Sequence, residues 1–356
     1  MKNLYVMGSP GSGKTMTALG LALKFQQEGK KVAYFKPVGS PLRVSDSEDD
    51  DAVLMKEILN MGNPISDIVP CRAGQTYLSW SKKKESAESI MQAYRRVSGG
   101  ADVVIIDGAV FPFIYNSWGL DDVSMALNTG AGVIVTIKIE NDFSVDQALF
   151  FNDYLRAKNV PLVGNLFNNI PWPMVSKAKG IFTPILEERG FKTLGVIPRR
   201  NEISSPTVEE FYKELGGEIL AGHDKMNLLV EDIQVGAMSL DGALRYLRRS
   251  TDKAVVLGGD RADLALAALE TSTSVMILTG GLYPDVKVLS RAEEKGVPVI
   301  LVHYDTYTTI EKLSRVARHI KPGDKTGIKI VLENIEEYCN WQAILDFMKE
   351  HPGQPD

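Results

Sequence analysis

Eight residues near the start of the chain, Gly8-Ser9-Pro10-Gly11-Ser12-Gly13-Lys14-Thr15, match G-x-x-x-x-G-K-[ST] at every fixed position. The chemistry that such a run can do is phosphate binding. The glycines let backbone N–H groups converge on phosphate oxygens, and a helix opening behind them turns its positive end toward the anion. Lys14 would reach the β- and γ-phosphates, and the Thr15 hydroxyl would ligate Mg²⁺. The flanks fit this reading. The apolar run Leu4-Tyr5-Val6-Met7 precedes the loop, and a helical pattern over Thr17–Gln27 follows it. A glycine-rich turn with a chance lysine would need neither neighbour. The expected ligand is a nucleoside triphosphate.

A triphosphate site also needs a metal, and Mg²⁺ takes one or two carboxylates besides phosphate and water. Val103-Val104-Ile105-Ile106-Asp107 is an apolar run closed by a carboxylate, the usual placement of the second P-loop ligand. Asp51 is another candidate. It ends the acidic run Asp46-Ser47-Glu48-Asp49-Asp50-Asp51, and it either caps a helix starting at Ala52 or turns toward the metal. The rest of that run fits a solvated loop. Lys36 follows the strand-like Val32–Phe35, beside the P-loop in any doubly wound order. It either neutralises charge on the γ-phosphate or on a phosphorylated intermediate, or it snorkels at a strand end.

Other chemistries are set aside by what the chain lacks. It has no G-x-S-x-G elbow, and the glycines at 8, 11 and 13 have the wrong intervals for G-x-G-x-x-G. Two cysteines, Cys71 and Cys339, exclude a disulfide framework, a CxxC redox pair and a four-cysteine zinc site. Four scattered histidines (His223, His303, His319, His351) lack metal-ligand spacing. A net charge of −5 argues against nucleic acid as the main partner. The N-terminus enters a strand at once, and no apolar run approaches the roughly 18 residues of a membrane span. A cytoplasmic protein without a membrane partner is expected.

These residues need a frame. At 356 residues with 44% hydrophobic content, two globular domains are expected. Apolar, β-branched runs at Leu4–Met7, Val32–Phe35, Val103–Ile106, Val133–Ile137, Leu162–Phe167 and Leu194–Ile197 alternate with amphipathic stretches such as Ala52–Met61, Ala87–Val97 and Ser144–Lys158. That pattern predicts an α/β fold, a doubly wound parallel sheet whose functional loops leave the carboxyl ends of its strands. A smaller α/β unit is expected after the glycine-containing Leu215–Gly222. Its strands fall at Ala254–Leu257, Val275–Leu278 and Val299–Val302, and polar loops at their ends include Asp260-Arg261 and Thr279-Gly280-Gly281. The expected division is 1–215, 223–325 and a C-terminal extension over 326–356, the last holding one strand-like run and a short helix.

At this point the residues bring a family into view. The P-loop, Phe35-Lys36-Pro37-Val38-Gly39, Asp51-Ala52-Val53-Leu54, Ile106-Asp107-Gly108-Ala109 and Val163-Gly164-Asn165-Leu166-Phe167-Asn168 resemble dethiobiotin synthetase over about the first 200 residues. That enzyme uses ATP and Mg²⁺ to carboxylate a diamine through a carbamate and a phosphorylated intermediate. The resemblance implies that Lys14 and Lys36 hold phosphate and intermediate, that Thr15, Asp51 and Asp107 hold Mg²⁺, and that Asn168 faces adenine. Further on, Leu194-Gly195-Val196-Ile197-Pro198 and Ser205-Pro206-Thr207-Val208 look like the N-terminal region of long bacterial phosphotransacetylases. Val235-Gly236-Ala237-Met238-Ser239, Gly259-Asp260-Arg261-Ala262-Asp263 and Leu278-Thr279-Gly280-Gly281-Leu282 are similar to the DRTGG domain.

The chain is thus similar to BioD-like P-loop proteins with a DRTGG domain and without the acyltransferase domain. Three departures qualify the likeness. Ser9-Pro10 stands where the synthetase has Thr-Asp, Asp107-Gly108-Ala109-Val110-Phe111 stands where it has Glu-Gly-Ala-Gly-Gly, and Asp260-Arg261 is followed by Ala262-Asp263. The resemblance implies an ATP- and Mg²⁺-binding protein with a regulatory or sensing task in acyl-CoA or acetate metabolism. An ATP-dependent carboxylase or ligase is the alternative. It also implies a second small ligand near Asp260, Arg261, Thr279, Gly280 and Gly281, a homo-oligomer of two or more subunits, and an acyl-CoA-metabolising enzyme as partner.

Overall fold

The structure, a computed structural model, describes residues 1–39, 49–72, 78, 83–316 and 318–351. The chain forms two compact units, one of Met1–Arg199 with the segment from Ile320 onward, the other of Arg200–His319.

The first unit is built on a parallel sheet of β1 (Asn3–Gly8), β2 (Val32–Phe35), β5 (Val103–Asp107), β6 (Gly132–Ile137), β7 (Leu162–Ile170) and β8 (Thr193–Pro198). A small parallel pair, β3 (Val38–Gly39) and β4 (Cys71–Arg72), lies outside it. The order of the large sheet is β2-β5-β1-β6-β7-β8. Leu4, Val6, Val104, Ile105, Ile106, Val133, Ile134 and Val135 are wholly buried, as strands covered on both faces require. The chain moves one way from β1 to β2, then turns back through β5 toward β8. Right-handed crossovers therefore put α1 (Lys14–Gln27) on one face and the helices of the returning connections on the other. In such sheets the crevice at the reversal, outside the carboxyl ends, is where ligands bind. The loops after β1, β5 and β6 meet there.

The C-terminal segment differs from the expectation of a strand. It forms two helices, Lys325–Tyr338 and Trp341–Glu350. The apolar residues that look strand-like fall on one helical stripe, because Gly327, Ile330, Val331, Asn334 and Ile335 are the buried positions. This stripe packs on α1 closely enough that a Cβ on Gly20 would stand 2.5 Å from Ile335 Cγ1 and 2.9 Å from the Val331 carbonyl oxygen. The segment is thus part of the first unit and not a separate extension.

The second unit holds β9 (Glu218–Ala221), β10 (Asp232–Val235), β11 (Lys253–Gly258), β12 (Thr273–Thr279) and β13 (Val299–Leu301) in the order β10-β11-β12-β13-β9. β9 is antiparallel to β13, and the other neighbours are parallel. One face carries Ala243, Leu247, Leu264, Ala268, Val288 and Ala292 from three helices. The other carries Val208, Phe211, Leu215 and Leu313 against Ala254, Val256, Ile277 and Ile300. The boundary therefore lies earlier than residue 215. Helix Val208–Leu215 looks like the end of the first unit in sequence, yet its apolar face covers the second sheet. A capping box starts it, with Glu210 accepting from the Thr207 N–H at 2.8 Å.

Candidate functional site

The phosphate loop is shaped by three of its glycines. Gly11 and Gly13 take φ of +69° and +75°, a region that L side chains rarely enter. A Cβ on Gly8 would stand 2.3 Å from both the carbonyl and the hydroxyl oxygen of Thr136. Ser12 is buried and shares a 2.8 Å hydrogen bond with the Thr136 hydroxyl. Ser9 is half-buried and Pro10 and Gly11 are exposed, so the rim of the loop faces solvent.

Lys14 opens α1 and folds its ammonium back over the loop, donating to the carbonyls of Gly8 at 3.2 Å, Ser9 at 3.1 Å and Val110 at 3.4 Å. Burial lowers its pKa below the ordinary lysine value, against the attraction of Asp107 and Asp122. A cation whose hydrogen bonds go to carbonyl dipoles can be claimed by an anion of full charge.

Thr15, Asp51, Asp107 and Lys36 come together beside it. The Thr15 hydroxyl is 2.7 Å from Asp107 Oδ2 and 3.3 Å from Asp51 Oδ2. Tyr34 also donates to Asp107 Oδ2, at 2.8 Å. Lys36 Nζ reaches Asp51 Oδ2 at 2.6 Å and Asp49 Oδ1 at 3.4 Å. Burial pulls the Lys36 pKa down, but Asp51, Asp107 and Asp49 outweigh it and hold the ammonium above the usual lysine range. Lys36 is 5% exposed, which rules out a snorkelling role. Asp49, not Asp51, caps helix α2 (Asp50–Ile58), accepting from the Ala52 N–H, and this leaves Asp51 in the first turn facing the site. Asp46, Ser47 and Glu48 lie outside the described residues.

Asp107 is 1% exposed, and among the described residues its Oδ1 has no hydrogen-bond partner. Burial accordingly raises its pKa above the ordinary carboxylate value. A buried, unsatisfied carboxylate oxygen next to a threonine hydroxyl and a second aspartate is a donor set that fits Mg²⁺. Among the described residues no group of three or more His, Cys, Asp or Glu could hold a metal ion by itself. The set suits a metal that arrives with phosphate oxygens rather than a closed protein cage.

Asn168, at the carboxyl end of β7, is placed behind the loop. Its Nδ2 donates to the Ser12 carbonyl at 2.9 Å and lies 3.4 Å from the Gly13 carbonyl and the Thr17 hydroxyl, while Oδ1 accepts from the Asn169 N–H at 2.9 Å. A Cβ on Gly13 would stand 2.4 Å from that Nδ2. The side chain is a strut of the phosphate loop.

Asp122 was missed in sequence. Asp121 caps helix Asp122–Thr129, and an Asp pair at a helix start is ordinary capping chemistry. Yet Asp122 is 2% exposed, and its Oδ1 accepts from both Tyr5 OH and the Ala109 N–H at 2.9 Å. Among the described residues its Oδ2 has no partner, and a Cβ on Gly108 would stand 2.6 Å from it. Burial raises its pKa to about 7, opposed by the Ala109 N–H and by Lys14. The signal available was the apolar surroundings of this second Asp, in Leu120-Asp121-Asp122-Val123.

In the second unit the loops after β11, β12 and β13 pack on one another. A Cβ on Gly259 would stand 1.7 Å from the Leu282 carbonyl oxygen, and Gly280 N–H donates to the Tyr304 carbonyl at 2.8 Å. Asp260 is exposed, and Arg261 is engaged with Asp263 and the Met238 carbonyl. Thr279 is 4% exposed, with its hydroxyl 3.0 Å from that of Thr306, so it supports the turn from beneath. Gly280 and Gly281 hold φ of +79° and +66°. A groove of about 850 Å³ lies among helices Leu240–Leu247, Ala262–Leu269 and Val286–Lys295, and none of Asp260, Arg261, Thr279, Gly280 or Gly281 lines it.

A parallel sheet that reverses at a P-loop, with Lys14, Thr15 and a strand-end Asp107 at the reversal, defines a protein of P-loop NTPase fold. Residues 2–207 match the AAA domain family AAA_26, and the chain belongs to that family. Residues 210–316 match the DRTGG domain. Two curated relatives are phosphate acetyltransferases. That of Nitratidesulfovibrio vulgaris is 23% identical over 95% of this chain and 50% of its own length. That of Pseudomonas putida is 25% identical over 93% of this chain and 49% of its own. The chain thus spans about half the length of these relatives. Among solved structures, cobyrinic acid a,c-diamide synthase of Mycobacterium smegmatis with bound ADP and magnesium is 19% identical, over 56% of this chain and 87% of that one, with a TM-score of 0.38. No helix among the described residues is long and apolar enough to cross a membrane.

Proposed function

We propose that the first unit binds ATP with Mg²⁺, and that the protein is a regulatory or sensing ATP-binding protein linked to acyl-CoA or acetate metabolism, with weak ATP hydrolysis. The observation that carries this is the meeting of Thr15, Asp107 and Asp51 beside Lys14, with an unsatisfied Asp107 oxygen among them. On this reading the backbone of Gly8–Thr15 cradles the phosphates, Lys14 and Lys36 offset their charge, and Thr15, Asp51 and Asp107 hold the metal. When bound, Mg²⁺ would polarise and orient the β- and γ-phosphates. Asn168 sets the loop and, as a second role, contacts adenine.

Regulation is favoured over rapid turnover because Ser9 and Pro10 bring no carboxylate to the γ-phosphate side. The metabolic link draws support from the phosphate acetyltransferases that share this arrangement over half their length. The second unit takes a small ligand at its strand-end loops, with Asp260 and Arg261 at the rim and Thr279, Gly280 and Gly281 forming the turn. The protein works in the cytoplasm as a homo-oligomer, with an enzyme of acyl-CoA metabolism as partner and without nucleic acid or membrane. Calorimetric titration with Mg-ATP tests the core of this. Lys14→Ala should abolish measurable binding, and an unchanged affinity would remove the nucleotide assignment.

A second reading, an ATP-dependent carboxylase or ligase of dethiobiotin synthetase type, is favoured by one observation. Lys36 is buried against the metal side, 2.6 Å from Asp51, where a second lysine can hold a phosphorylated intermediate. Incubation with ATP, Mg²⁺, bicarbonate and diaminopelargonate should then release ADP faster than ATP alone. An equal rate excludes it.

A further inference from the structure

The phosphate loop has a cationic neighbour besides Lys14 and Lys36. β6 runs beside β1 with Thr136 opposite Gly8, and the Thr136 hydroxyl is joined to that of Ser12 at 2.8 Å. The end of β6 is therefore stitched to the loop. Just beyond it, Lys138 lies along the loop tip. A Cβ built on Gly11 would stand 3.8 Å from both the Cδ and the Nζ of Lys138.

The Lys138 ammonium is held by Glu140 at 2.7 Å, with the two side chains 35% and 65% exposed. The hydrogen bond and charge of Lys138 hold the Glu140 carboxyl below the usual range. An ion pair this open to solvent is weak and readily exchanged. A phosphate oxygen offers the same lysine a stronger, charge-assisted partner next to fixed N–H donors.

The remaining charges leave room for this exchange. Lys36 is already matched by Asp51 at 2.6 Å and Asp49 at 3.4 Å. Ser9 and Pro10 add no charge, so Lys14 is the cation that the loop itself supplies. A triphosphate with one divalent metal stays negative at its outer end, and the loop tip is the side on which Lys138 stands.

We propose that Lys138 is a phosphate-binding residue of this site, latched on Glu140 at rest and turned onto the terminal phosphate of a bound nucleoside triphosphate. The proposal rests on the nucleotide reading of the site. It adds a discrimination between tri- and diphosphate that the Gly8–Thr15 loop alone does not explain.

Calorimetric titrations with Mg-ATP and Mg-ADP on wild type, Lys138→Met, Glu140→Gln and Lys14→Ala test it. Lys138→Met should weaken Mg-ATP binding about tenfold and Mg-ADP binding by less than about threefold, and Glu140→Gln should strengthen Mg-ATP binding a few-fold. Both side chains are at the surface, and a melting curve for each variant confirms that the fold is kept. An unchanged Mg-ATP affinity in Lys138→Met, or equal losses for Mg-ATP and Mg-ADP, overturns the proposal. If Lys14→Ala still abolishes binding in that case, the nucleotide reading survives without it. A wild-type protein that binds neither nucleotide overturns both.

Discussion

The Thr15 hydroxyl and the Asp107 carboxylate meet at 2.7 Å, joining the first turn of α1 to the end of β5 where the sheet reverses its winding. Ninety-odd residues separate them in the chain, and the parallel pairing of β1 with β5 (Val6 opposite Asp107) brings them together. Every other feature of the site is arranged around that contact. Lys36 and Asp51 flank it, Tyr34 braces it from the sheet, and Lys14 covers the mouth.

Asn168 supports the loop from behind, so its loss should be felt in both stability and binding. Asn168→Ala removes the donor to the Ser12 carbonyl and leaves that acceptor buried, a cost of about 1–3 kcal/mol. Thermal melting should fall by roughly 2–4 °C per kcal/mol in a unit of this size. Affinity for Mg-ATP should fall with it. A variant that melts with the wild type would show that the strut bears no weight.

At Gly20, α1 packs directly against helix Lys325–Tyr338. Gly20→Ala gains helix propensity, but its methyl meets Ile335 Cγ1 at 2.5 Å and the Val331 carbonyl at 2.9 Å. The overpacking should win, destabilising the first unit by about 1–3 kcal/mol in urea titration. A stabilised variant would mean that the two helices are not packed as described.

Asp122 makes stability depend on pH in a direction set by burial. Its pKa is raised to about 7, with Tyr5, Lys14 and Asp107 the ionisable groups around it. Between the ordinary carboxylate range near pH 4 and pH 7 the folded protein keeps a proton that the unfolded chain has lost. Stability from this group therefore falls as pH rises through that window. Asp122→Asn carries no such charge. Its stability relative to wild type should improve from pH 4 to pH 8, by on the order of 2–4 kcal/mol. A difference that stays flat across that range would contradict the buried charge.

Much of this was legible in sequence because it is local. The P-loop, the apolar run ending in Asp107, and Lys36 after Val32–Phe35 each carry their signal within a few neighbours, and all converge on one edge of the sheet. What was not legible depends on partners distant in the chain. Ile328–Val331 looks strand-like until the i, i+3, i+4 stripe of Gly327, Ile330 and Val331 is seen packed on α1. Helix Val208–Leu215 precedes the glycines that suggest a boundary, yet its Phe211 is buried with the second sheet. Asp122 passes for a helix cap because only the fold shows Tyr5 and Ala109 converging on it. The contacts of Asn168 with Ser12, Gly13 and Thr17 span 151 or more residues and depend on the folded sheet.

The most direct test of the central claim is the Mg²⁺ dependence of ATP binding, measured by calorimetry with the metal and with a chelator, on wild type and Asp107→Asn. If Thr15 and Asp107 hold the metal of a bound triphosphate, Mg²⁺ should strengthen ATP binding to the wild type by at least about tenfold, and Asp107→Asn should lose most of that gain while still binding ATP weakly. Equal ATP affinity with and without Mg²⁺ in the wild type, or a full Mg²⁺ effect in Asp107→Asn, would contradict it.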